Sequence, residues 1–335
     1  MPTSIVLCYP VEQKHIERIA AAMPGAEIID AGQEHIAEKL FEADIFCGHA
    51  KVPVDWNAVV REGRLQWIQS SAAGMDHCLV PSVIASDIPV TSASGVLADQ
   101  VGEHTIALMT AWTRSLPVYF RAQQKKEFIR RPTRDLTRST VGIIGLGGNG
   151  RRLVELLRPF EVRVLATDLF PVDKPEGVEA LWPADRLDDV LAVSDFVVLC
   201  LPLNASTSGL FDAATLAKMK RDSLLVNMAR GQIVVTDDLV SAIELGHLAG
   251  AVMDVTEPEP LPPDHRLWDL PNVIITPHVG GQARWRIDAM TDLFCANLKR
   301  WHAGQPLINY LADKALGFPV RGGGYPLWGD ADLEA

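Results

Sequence analysis

Residues Val141 to Gly150 read Val-Gly-Ile-Ile-Gly-Leu-Gly-Gly-Asn-Gly and run directly into Arg151-Arg152-Leu153-Val154-Glu155-Leu156-Leu157. A short apolar strand, a glycine-rich turn and an amphipathic helix thus follow one another without a break. Gly145, Gly147 and Gly150 fall in the spacing G-x-G-x-x-G. Gly145 permits the tight turn, Gly147 lets the backbone come close to a pyrophosphate, and Gly150 lets the helix pack on the strand. Gly148 lies in the same loop, and Asn149 either donates a further hydrogen bond to the anion or simply begins the helix. The helix N-terminus adds unpaired N–H groups and a partial positive charge. The next strand, Val162 to Ala166, leads through Thr167 to Asp168, where the carboxylate of a dinucleotide site is expected. Asp168 would accept hydrogen bonds from ribose hydroxyls and repel a 2′-phosphate. Leu169 and Phe170 follow it rather than an arginine, so NAD is favoured over NADP.

Outward from this unit the same alternation recurs. Towards the C-terminus, Phe196–Cys200, Leu224–Asn227, Gly250–Met253 and Val273–Thr276 read as strands with helical patterns between them. Towards the N-terminus, Ile5–Cys8, Ala26–Ile29, Asp44–Cys47, Leu65–Gln69 and Ile88–Thr91 read as strands, with helices over Val11–Met23 and Glu34–Ala43. A longer helix spans about Asp99 to Arg114, and another Arg284 to Trp301. Strands interleaved with helices imply parallel sheets covered on both faces. The fold class is α/β, with two doubly wound, Rossmann- or flavodoxin-like domains. The basic stretch Arg121–Arg138 reads as a solvated connector, and Gly317–Ala335 as a surface-wrapping or fraying tail.

The chain has 335 residues, 48% of them hydrophobic and 22% charged, an ordinary globular composition. Its formal net charge of -11 disfavours nucleic acid, whose phosphates need a basic face. No apolar run approaches the roughly 20 residues of a membrane-spanning helix, and the start lacks a signal-peptide pattern. Cys8, Cys47, Cys78, Cys200 and Cys295 are widely spaced and form no C-x-x-C pair. They read as free thiols in a reducing cytoplasm, and no histidine spacing calls for a metal.

Three downstream stretches carry a family resemblance: VNMARGQIVVTDDL at 226–239, AVMDVTEPEPLP at 251–262 and NVIITPHVGG at 272–281. In that order below the glycine loop, they resemble the D-isomer-specific 2-hydroxyacid dehydrogenases. The resemblance implies that Arg230 binds the carboxylate and carbonyl of a small anionic 2-keto or 2-hydroxy acid. It implies that His278 is the general acid/base and that Glu259 is its carboxylate partner, with Glu257 a nearby competitor. Ala73 and Gly74, in SSAAGMDH at 70–77, match a loop that offers backbone N–H groups to the substrate. Val101, Leu201, Pro202, Met228, Ala229, Asp254, Gly280 and Gly281 are implied to line the cofactor, with Asp254 near the nicotinamide carboxamide.

The same resemblance implies that the cofactor domain, 100–284, is inserted into a substrate domain made of 1–99 and 285–335, with the active site in the cleft. It further implies a homodimer formed through the cofactor domain. One departure stands out: Arg284-Trp285-Arg286 replaces the small, hydroxyl or acidic residues of many relatives. Arg284 and Trp285 could receive a second anionic group or a bulky substrate, or could anchor the following helix. Competing expectations are a phosphite-type dehydrogenase on the same fold and a dinucleotide-sensing, corepressor-like binding protein.

Overall fold

The computed structural model describes residues 2–329. It divides into two compact units, one running to Leu97 and resuming at Ala283, the other spanning Ala98–Gln282. The N-terminal unit holds a sheet of β1 (Ser4–Cys8), β2 (Glu27–Asp30), β3 (Ile45–Gly48), β4 (Trp67–Ser70) and β5 (Val90–Thr91). Its order is β2-β1-β3-β4-β5, with every pairing parallel. Alternate residues explain the two covered faces: Ile5, Leu7, Ile45 and Trp67 enter one core, Val6, Cys8, Phe46 and Ile68 the other.

A buried polar network recruits the C-terminal part of the chain to this unit. Asn297, on the helix Arg286–His302, donates to Gln69 Oε1 at 2.9 Å and accepts the Ile308 N–H at 2.7 Å. Gln69 Oε1 also accepts from the Thr91 hydroxyl, which in turn accepts the Trp67 indole N–H. Each buried polar group finds a partner across the sheet, so this helix is specified by hydrogen bonding as well as by its apolar face.

The second unit holds β6 (Thr140–Ile144), β7 (Arg163–Asp168), β8 (Val178–Pro183), β9 (Phe196–Leu199), β10 (Leu224–Asn227), β11 (Gly250–Met253) and β12 (Val273–Ile275). The order is β12-β11-β10-β9-β6-β7-β8, again all parallel. From β6 the chain winds outward to β8, then returns to β9 on the opposite side of β6. That reversal is the topological switch point at which open α/β sheets place their ligands.

Two elements differ from the sequence expectation. The edge strand β8 was not anticipated, because Val178–Pro183 is only half-buried and carries no clean alternation. The connector Arg121–Arg138 begins inside a helix, Leu116–Gln124, and only the rest is extended loop. The tail is packed as far as Trp328, and its last residues, 330–335, lie outside the described part. Among the described residues no helix is long and apolar enough to cross a membrane, and no group of three His, Cys, Asp or Glu is placed to hold a metal.

Candidate active site

The glycine loop leaves β6 at the switch point. Gly145 has φ +92, and a Cβ there would stand 2.8 Å from the Leu201 nitrogen, so the turn presses against the segment that follows β9. Leu201 and Pro202 are on that segment. A Cβ on Gly150 would meet the Gly145 carbonyl oxygen at 2.4 Å, which draws the helix Gly148–Leu157 down on the loop. A Cβ on Gly147 would meet no protein atom within 4 Å, and no side chain caps the helix that it precedes. An anion could therefore approach the backbone from that side, which fits a dinucleotide pyrophosphate.

Asp168 ends β7 and is stapled to this loop. Its Oδ2 accepts the Leu146 N–H at 2.7 Å and its Oδ1 the Phe170 N–H at 2.9 Å. Arg151, in the first turn of the helix, donates to the carbonyls of Leu146, Val172 and Asp173. Its guanidinium is thus occupied in holding the loop after β7.

The ends of β10, β11 and β12 bring together the three downstream stretches. Asn227, buried at the end of β10, accepts the Ala229 N–H at 3.0 Å and donates to the Arg230 carbonyl at 3.0 Å. The turn Met228–Arg230 is thereby fixed, with the Arg230 guanidinium also donating to the Ala229 carbonyl. A Cβ on Gly231 would lie 1.9 Å from the Thr256 carbonyl oxygen, so only glycine lets this turn press on the run that contains Glu259. The Thr236 hydroxyl donates to the Glu257 carbonyl and holds the same run from the other side.

His278 Nδ1 lies 2.8 Å from Glu259 Oε1, and both side chains are a little over two-fifths exposed, at 44% and 42%. Glu257, the competing carboxylate, makes no such contact through its side chain among the described hydrogen bonds. The loop bearing His278 is organised by Asp254, which is buried. Asp254 Oδ1 accepts the Thr276 hydroxyl at 2.6 Å and the Val279 N–H at 3.0 Å, while Oδ2 accepts the Gly280 N–H at 2.9 Å. The Asp254 carbonyl also accepts the His278 N–H at 2.8 Å, with the histidine at φ +54. Met228 packs toward Gly280, and Gly281 follows in the same loop. Val101 is in the first turn of the helix Ala98–Thr113, three residues before His104.

His104 and Asn227 were not singled out from the sequence. His104 Nε2 lies 3.1 Å from the Thr276 hydroxyl and 3.4 Å from Asp254 Oδ1, so it buttresses the His278 loop. His104 carries no motif of its own, while Asn227 lies within the stretch VNMARGQIVVTDDL, ending a strand just before Arg230. Ala73 and Gly74 belong to the other unit, in the loop after β4, as do Arg284 and Trp285, which precede the helix Arg286–His302.

Comparison with known proteins follows the same outline. The family model described as D-isomer specific 2-hydroxyacid dehydrogenase, NAD binding domain, matches residues 106–280. A glyoxylate reductase from Thermofilum pendens is 35% identical over 245 residues, covering 70% of this chain and 71% of its own. The human glyoxylate reductase/hydroxypyruvate reductase is 30% identical over 310 residues, 90% of this chain and 88% of its own. Among solved structures, the NADPH-dependent glyoxylate/hydroxypyruvate reductase from Sinorhizobium meliloti, in complex with NADP and sulfate, is similar at a TM-score of 0.79 and 29% identity. The match covers 94% of this chain and 100% of that chain.

Proposed function

The chain belongs to the D-isomer specific 2-hydroxyacid dehydrogenase family, and from that premise we propose that it interconverts a small 2-keto acid and the D-2-hydroxy acid with NADH and NAD. The observation that carries the reading is the 2.8 Å contact between His278 Nδ1 and Glu259 Oε1. With Nδ1 committed to the carboxylate, Nε2 is the nitrogen that exchanges a proton with the substrate oxygen. His278 donates that proton as the keto oxygen gains charge, and takes it back in the direction of oxidation. Glu259 accepts from Nδ1 and so orients the ring.

A bound nicotinamide supplies the hydride, or accepts it in reverse. Arg230 presents a planar guanidinium that can grip the substrate carboxylate and polarise the carbonyl beside it. Ala73 and Gly74 are further backbone donors to that carboxylate in this reading, and Arg284 with Trp285 receives a second anionic or bulky substituent. Asp254 acts by holding the His278 loop through Thr276, Val279 and Gly280. The names of the relatives favour glyoxylate or hydroxypyruvate as the acid.

NAD is the proposed cofactor although the Sinorhizobium reductase holds NADP. Two features support this. Asp168 places a carboxylate beside the glycine loop, and Arg151, the neighbouring cation, is engaged with three carbonyls. A homodimer is proposed through the Ala98–Gln282 unit. Phe128 is 94% exposed there, and Phe120 and Ile129 of the same stretch of chain are exposed as well, apolar surface that water does not favour. All five cysteines are free, which suits a cytoplasmic setting.

The test is to mix the protein with NADH or NADPH and a panel of 2-keto acids and follow absorbance at the nicotinamide band. Turnover of glyoxylate or hydroxypyruvate with NADH preferred is expected. Tight NADH binding with no turnover of any acid would overturn the enzymatic reading in favour of a dinucleotide sensor.

A further inference from the structure

The glycine-rich stretch Arg321–Trp328 is bound to a specific place in the N-terminal unit, and the link runs through Asn309. This residue is buried and has φ +57, a conformation that asparagine tolerates better than most side chains. Its N–H donates to the Pro326 carbonyl at 2.9 Å, and its side-chain oxygen accepts the Trp328 N–H at 3.0 Å. On the other side its amide nitrogen donates to the carbonyls of Ser92 and Ser94, at 3.1 and 2.8 Å, and its own carbonyl accepts the Ser92 N–H. One side chain thus joins the tail to the segment that follows β5.

Two ring contacts reinforce that junction. Tyr325 packs on Tyr310 with ring centroids 4.4 Å apart, and Tyr310 bridges to Thr91 at the sheet edge. The Trp328 ring lies over Gly95, 3.8 Å from where a Cβ would be. The segment so clamped, Ser92–Gly95, reaches the loop after β4: the Ala93 N–H donates to the Ala72 carbonyl at 3.0 Å. Ala72 is also pinned by the Ser70 hydroxyl, which accepts its N–H and donates to its carbonyl. Ala73 and Gly74 come next in the chain.

We propose that Tyr325–Trp328, acting through Asn309 and Ala93, is a positioning strap for the substrate loop Ser70–His77. The inference rests on the reading of that loop as donor to the substrate carboxylate. Backbone N–H groups serve a carboxylate only while their direction is fixed, and Ala73 and Gly74 carry no polar side chain to fix it themselves. The strap supplies the constraint from outside the loop. Trp328 and Tyr325 touch neither substrate nor cofactor in this account and act only through the loop.

The experiment compares the whole chain with a form ending at Phe318 and with Trp328→Ala and Trp328→Phe. Hydrogen exchange over Ser70–His77, KM for glyoxylate, the NADH dissociation constant and the melting temperature are measured for each. The shortened form and Trp328→Ala should exchange faster over that loop and raise KM roughly tenfold, since misplaced donors weaken substrate contacts directly. NADH affinity should stay within about twofold of the whole chain, and Trp328→Phe should restore both readouts. Unchanged exchange in Trp328→Ala overturns the strap, and this variant decides if the shortened form fails to fold. Faster exchange with unchanged KM upholds the mechanical link but overturns the assignment of the loop to substrate.

Discussion

Asp168 shows how one residue can be read correctly for position and still acquire a second task. The sequence placed a carboxylate at the end of the strand after the glycine loop, and the structure has it there, accepting the Leu146 and Phe170 N–H groups. The charge proposed to oppose a 2′-phosphate therefore also shapes the loop. Asp168→Ala should lower the ratio of kcat/KM with NADH to that with NADPH by about tenfold, the worth of one charged hydrogen-bonding group. An unchanged ratio would refute the ribose assignment. The pairing of His278 with Glu259, at 2.8 Å, is legible in the sequence because each sits in a motif with fixed neighbours; the roles proposed for them and for Arg230 rest on those motifs. The contacts of Asn227 and His104 are not legible in that way, because their work is to hold backbone and hydroxyl groups whose proximity only the fold creates.

Among the elements, the fully buried strands were the easiest to recognise. Leu224–Asn227 and Gly250–Met253 are buried at every position, and continuous apolar runs of that length mark the interior of a parallel sheet. β8 lacks a readable pattern for the opposite reason: at a sheet edge its side chains are half-exposed, and pairing with β7 supplies what its own pattern does not. The helix Leu116–Gln124 was hidden by the basic run that follows it. Its exposed Phe120, with Phe128 beyond its end, belongs to the surface assigned to the dimer. Sedimentation should find a dimer for the native chain and a monomer, or at least about a tenfold weaker dimer, for Phe128→Asp, because a buried charge without a partner is costly. A monomeric native chain, or a dimer indifferent to the change, would contradict the assignment.

Across the whole molecule the acidic total conceals a local arrangement. A formal charge of -11 disfavours nucleic acid as a partner, yet the proposed substrate is an anion. The positive groups proposed to meet it and the cofactor are held in place by the fold: Arg230 on its Asn227-held turn, and the N-terminus of the helix Gly148–Leu157. The return of the C-terminal chain to the first unit, which the family resemblance implies, is made by the apolar face of Arg286–His302 together with Asn297 and Gln69, a pairing 228 residues apart. In the proposed reaction His278, backed by Glu259, moves the proton in a nicotinamide-dependent reduction. That role is tested most directly by measuring glyoxylate turnover and NADH affinity of His278→Ala side by side. Turnover should fall by about 10²–10⁴-fold, the usual contribution of a general acid, while the NADH dissociation constant stays within about twofold. Turnover near the native rate, or a loss of cofactor binding as large as the loss of rate, would contradict the account.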